Sequence, residues 1–129
     1  MTEPSRKLLI SFRRAFAGRE RNFQLRLGEV EELERLCGCG VGEIELKIAT
    51  HRFGVREVRE TIRLGLQGGG TSEAESTALI TGYVDKAPLG EFLQLAADII
   101  LAFVSGLPEL PEKKTDETSD AAAISPTST

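Results

Sequence analysis

The 129-residue sequence predicts an α+β fold: an N-terminal β-hairpin packed on a bundle of four to five helices, with a disordered C-terminal tail. Three observations predict it. Apolar residues alternate in two short N-terminal segments, the period of a half-buried strand. Further on they recur at steps of three and four, the period of a helix face. From Leu107 the chain reads LPELPEKKTDETSDAAAISPTST, which carries too little apolar surface to offset its ordering entropy. The expected division is a flexible N-terminus over 1–7, one domain over 8–106 and a tail over 107–129.

The hairpin comes first. Ile10, Phe12 and Phe16 are separated by even steps, and Phe23, Leu25 and Leu27 alternate with Gln24 and Arg26. Ala17-Gly18-Arg19-Glu20 supplies the turn. Arg14 breaks the alternation of the first strand. A hairpin alone is marginal in water, so it must lie on helices or pair with another sheet.

A first helix follows, with Val30, Leu33, Leu36 and Cys37 on one side and Glu29, Glu31, Glu32 and Glu34 near its N-terminus. GCGVG from Gly38 to Gly42 ends it. Residues 43–50 are ambiguous on pattern alone. Ile44, Leu46 and Ile48 alternate like a strand, and Val41, Ile44 and Ile48 also fit a helix face.

A helix over about Val55 to Gln67 buries Val55, Val58, Ile62 and Leu66, leaving Arg56, Glu57, Arg59, Glu60 and Arg63 to water or a partner. Gly68-Gly69-Gly70 terminate it. Ser72 with Glu75 three residues on is a capping box, opening a helix to about Lys86 with Ala74, Ala78, Leu79 and Tyr83 inward. Pro88 suits the first turn of a last helix, Leu89 to Ser105, where its missing N–H costs nothing. That helix is apolar on most sides, so it is the centre of the core or buries a second face in an oligomer. Glu91, Gln94, Asp98 and Ser105 form its one polar stripe.

The residues point away from catalysis. Gly65 and Gly70 have P-loop separation, but the lysine is missing and the run follows a helix where a P-loop follows a strand. GCGVG lacks the third glycine of a dinucleotide fingerprint. Cys37, Cys39 and His51 do not have the spacing of a structural zinc site, and Cys37 sits on an apolar helix position. His51, the only histidine, has no nucleophile or orienting acid placed toward it by spacing. No catalytic, cofactor-binding or metal-binding residue is assigned, and the chain is expected to act by binding.

Net charge is −4, which argues against a generic nucleic-acid footprint. Residues 1–63 carry 13 Lys/Arg against 10 Asp/Glu, a balance of +3, and residues 64–129 carry 3 against 10, a balance of −7. Two cysteines one residue apart make no disulfide framework, and the longest apolar window, Phe92 to Val104, falls short of the roughly 20 residues of a membrane span. The start MTEPSRKLLISF has no apolar signal-peptide run. These features lead to an expected cytoplasmic location with no membrane or nucleic-acid partner.

The hairpin runs into LGEVEELERL, then RFGVREVRETIRLGLQGGG, then EAESTALITGYVDKAPLGEFLQLAADIILAFVSG. This order resembles the small protein of gene transfer agents and related siphophage tails, labelled a tail tube-like protein or a tail assembly chaperone. The resemblance covers about residues 8–106. Its most specific part is the helix ending in GL-x-GGG, followed by an alanine-containing helix, Tyr83-Val84, Pro88-Leu89 and an alanine-rich apolar helix.

The resemblance implies a helix over residues 43–50 and a non-enzymatic role in tail morphogenesis. The chaperone label is preferred, because two strands and four or five helices cannot line a tube built from β-barrels. It implies binding to the tape measure protein and tail tube subunits, with self-association into a ring or spiral. The alternatives are a structural, tube-like component retained in the particle and an unrelated helical adaptor. Arg56, Arg59 and Arg63 are the expected basic contact edge, and Phe12, Phe23 and Leu25 are expected to face the core or a neighbouring subunit.

Overall fold

The computed structural model describes residues 8–109, so the predicted N-terminal segment and the tail from residue 110 lie outside the described residues. The expected α+β architecture is present. Strands β1 (Leu8–Leu9), β2 (Ser11–Phe16) and β3 (Arg19–Gln24) lead into α1 (Leu27–Cys37), α2 (Val41–Ala49), α3 (Val55–Gly68), α4 (Glu73–Gly82) and α5 (Leu93–Val104). Two 3₁₀ turns, Val84–Lys86 and Leu89–Phe92, link α4 to α5, and β4 (Leu107–Pro108) follows. The sequence assigns Leu107 and Pro108 to the tail. In the fold they pair antiparallel with Leu9 and Leu8.

β2 and β3 pair antiparallel from Ser11 opposite Gln24 to Phe16 opposite Arg19. The loop is two residues rather than the four expected, with φ of 54° at Ala17 and 91° at Gly18. Positive φ at both positions is the type I′ arrangement, whose twist matches that of the strands. Arg21 clamps this turn, donating from Nε to the Phe16 carbonyl at 2.8 Å. Phe16 and Phe23 are buried, and Phe12 stacks on Phe23 with centroids 5.7 Å apart. Ile10 is exposed, and Leu27 is an exposed first residue of α1 rather than a strand residue.

Arg14 does not break the strand. It lies on the same side as Phe12 and Phe16, holds its guanidinium 4.8 Å from the Phe12 ring centroid and pairs with Asp98 of α5 at 2.8 Å. The polar stripe of α5 is therefore partly consumed inside the molecule.

Residues 41–49 are helical, as the resemblance implies and against the strand-like alternation of Ile44, Leu46 and Ile48. Ile44 and Ile48 are buried one turn apart while Leu46 faces solvent. His51 at φ 59° provides the left-handed residue after α2, letting the Arg52 N–H donate to the Lys47 carbonyl at 2.7 Å.

α3 is the hub, packed against β3, α1, α4 and α5. Val58, Ile62 and Leu66 are fully buried, but Val55 at the first turn is exposed. α4 differs from expectation. Its fully buried residues are Ser76 and Ile80, with Leu79 half-buried against the core as expected, while Ala74 and Ala78 face outward because the branched side chains of Leu79 and Ile80 set the face. Ser72 caps α4 by accepting from the Glu75 N–H at 3.1 Å. The reciprocal half of the box is missing, since the Glu75 carboxylate turns to Arg19 and Arg21. α5 buries Leu95, Ala96, Ile99, Ile100 and Ala102.

Candidate interaction surfaces

The glycines that imitate a phosphate loop have packing duties. Gly65 lies inside α3, where a Cβ would stand 3.1 Å from two carbons of Ile99. A Cβ on Gly68 would run into the Gln24 carbonyl oxygen, and one on Gly69 into that of Asn22. Asn22 fastens this approach, its Nδ2 donating to the Gly69 carbonyl at 3.1 Å. Only Gly70, at φ 115°, is required for its conformation.

Among the described residues, no group of three or more His, Cys, Asp or Glu could hold a metal ion. Burial pushes the Cys37 thiol up to about 11, with smaller contributions from nearby acidic groups, so it is a poor nucleophile at neutral pH. No helix of the described residues is long and apolar enough to cross a membrane.

The expected basic edge of α3 is divided by the structure. Arg56 is exposed and donates to the Leu36 carbonyl at 3.1 Å. Arg59 makes a two-pronged pair with Asp85, Nε to Oδ1 at 2.7 Å and Nη2 to Oδ2 at 2.8 Å. This bond raises the pKa of Arg59 and holds the Asp85 carboxyl below its ordinary value. Arg63 turns to Glu60 at 2.6 Å, one helical turn back. Glu57, expected on the wet side, is buried. It accepts from the Gly54 N–H at 2.6 Å and from Lys47 Nζ at 3.3 Å.

Arg56 and Arg59 do come together around exposed Val55. One shallow cleft beside it is lined by Leu36, Arg56, Arg59 and Glu60, and a second by Arg59, Val84, Asp85, Ala87 and Leu89. Arg63 lines neither cleft. Phe23 and Leu25 are wholly buried in this chain's own core, which leaves Phe12 as the half-buried member of the apolar trio. Local pattern carries no sign of Asp85 or Leu89 as neighbours of Arg59, because 26 residues separate Arg59 from Asp85.

A second surface feature was not foreseen. Tyr83 is exposed yet packs edge-on between Phe16 at 4.9 Å and Phe92 at 5.7 Å, closing the aromatic group over the hairpin. The sequence places Tyr83 inward on a helix continuing to about Lys86, whereas it is Val84 that is buried. The helix stops at Gly82, which frees the ring to turn toward β2.

The molecule thus presents a small α+β body with shallow clefts and polar rims, suited to protein contacts. No curated protein and no solved structure matches the chain. The family described as phage tail tube protein, GTA-gp10 matches residues 10–106, which takes in the β2–β3 hairpin and all five helices and leaves out the two strands of the β1–β4 ladder. The chain belongs to that phage tail tube protein family.

Proposed function

We infer that this protein is a non-catalytic component of a phage-type or gene transfer agent tail, working at the tail tube. The observation that carries the reading is the family match over residues 10–106, whose description is that of a tube protein. This favours the structural role over the chaperone role preferred from the order of elements. The surface of Val55, Arg56 and Arg59 supports contact with another tail protein, since an apolar side chain flanked by guanidinium groups fits an acidic, partly apolar face.

One observation favours a second reading, a tail assembly chaperone for the tape measure protein. The described residues form only two sheets of two strands each, too little to wall a tube without strands from other chains. In that reading the chain binds the tape measure protein in the host cytoplasm and leaves before the particle is complete.

Quantitative mass spectrometry of purified particles tests the assignment. Retention at ring stoichiometry supports the structural component. Absence from particles, with co-purification and raised soluble yield of co-expressed tape measure protein, supports the chaperone and overturns the first reading.

A further inference from the structure

The outer flank of α5 is more apolar than the fold uses. At 100° per residue, the apolar side chains of α5 cover an arc of about 260°, and the core takes about 160° of it. The remainder carries Leu93 and Ala97, half-buried where they pack against the edge of the core, and Leu101 and Val104, 36% and 46% exposed. Beyond the end of the helix the apolar surface continues to Leu8, 56% exposed and packed against Gly106. At the other end, a groove between α2 and α5 is lined by Ile48, Ala49, Gly90, Leu93 and Ala97, with His51 and Gln94 as its polar members and no carboxylate, lysine or arginine.

We propose that this flank is an interface between two copies of this chain, joined through antiparallel α5 helices about a two-fold axis. The stripe is self-complementary in that direction: Leu93 falls opposite the partner's Val104, and Ala97 opposite the partner's Leu101. A large side chain then meets a small one at the centre. Charge favours the same arrangement. α5 has no acidic residue in its first turn and no basic residue in its last, so neither end of its dipole is compensated by its own side chains. Antiparallel pairing sets the positive end of each helix beside the negative end of the other. The carboxylate nearest the axis, Asp98, is neutralised within its own chain by Arg14 at 2.8 Å. The contact is isologous and closes at two, unlike the ring or spiral that the resemblance implies. It rests on α5 alone and not on the role in the tail.

Light scattering on the full chain over a concentration series tests the pairing. The expected result is twice the 14.0 kDa chain mass, with at least a tenfold rise in the dissociation constant for Leu101→Glu and Val104→Glu. Leu46→Glu, at a leucine 61% exposed on α2 and off this flank, should remain a dimer. Circular dichroism melts establish that each variant is folded, and Leu101→Gln carries the test should Leu101→Glu unfold. A monomer at every concentration overturns the proposal. So does a dimer that survives the flank substitutions, or a parent mass above two chains.

Discussion

Gly68 and Gln24 touch backbone to backbone: the last turn of α3 lies on the carbonyl of β3 with no space for a side chain. The hairpin and the hub helix are locked at this point. Gly68→Ala should therefore cost more than about 2 kcal/mol, because backbone rather than a flexible side chain must move. Gly42→Ala, in α2 with open space around it, should stabilise by about 0.5–1 kcal/mol. Urea midpoints of the two variants check the contrast, and equal effects would mean the contact is not formed.

Ile99 of α5 is fully buried and fills the space left by Gly65. Ile99→Ala should lower stability by about 2–5 kcal/mol. That is a large share of the roughly 5–15 kcal/mol typical of a domain. An unchanged denaturant midpoint would show that α5 does not pack on α3.

Ala17 carries the energetic cost of a left-handed conformation that asparagine adopts more readily. Ala17→Asn creates the Asn-Gly pair preferred in two-residue hairpins and should raise stability by about 1 kcal/mol. Thermal unfolding measures it, and a lowered midpoint would contradict the type I′ turn.

Reversing Arg59 sets a carboxylate against Asp85 and Glu60, its two present partners. Arg59→Glu should lower the unfolding midpoint, with a stability loss of about 1 kcal/mol for so accessible a pair. Arg56 has no carboxylate partner among the described residues and only an exposed bond to the Leu36 carbonyl, so Arg56→Gln should move the midpoint less than Arg59→Glu does while weakening capture of an acidic tail partner. Arg56 is thus the clean probe of the surface, and a pair of α3 reversals that included Arg59 would confuse binding with folding.

Glu57 gives the protein an acid limb. Burial alone would raise its carboxyl, but the Gly54 and Glu57 N–H groups and Lys47 outweigh it, and the net position is below 4.5. The unfolded chain therefore holds this proton more tightly, and the stabilisation is complete above pH 4.5 and lost as pH falls through the folded value. Glu57→Gln should be less stable than the parent at pH 7, with the gap narrowing below pH 4.5. Urea titrations at several pH values check it, and a gap independent of pH would assign Glu57 a packing role alone.

The sequence reveals those parts of the fold that follow from local periodicity. Val58, Ile62 and Leu66 declare α3, and Phe12, Phe16 and Phe23 declare the hairpin. Ile44 and Ile48 do not distinguish helix from strand, because a period of four satisfies both patterns; burial of one helical face decides it. Arg14 and Arg59 are legible as charges but not as pairs, since Asp98 and Asp85 lie far along the chain, and Glu57 meets Lys47 only because α2 and α3 fold back on each other. The candidate surface was half-visible for the same reason. Arg56 and Arg59 could be placed on one edge of α3, while Leu89 and Ala87 reach that edge only through the 3₁₀ turns after α4.

The pairing of Leu8–Leu9 with Leu107–Pro108 makes the domain nearly a closed circuit. Ends that meet this way can be joined by a short peptide and the chain reopened elsewhere. A circular permutant beginning at Cys39, in the connection between α1 and α2, should keep every helix and both strands of the hairpin intact. Its new termini would lie at the α1–α2 connection instead of beside the β1–β4 ladder, so a bulky fusion could be moved from one site on the chain to the other. With the same fusion placed at either site in turn, loss of tail incorporation at one and not the other would show which site meets the rest of the tail.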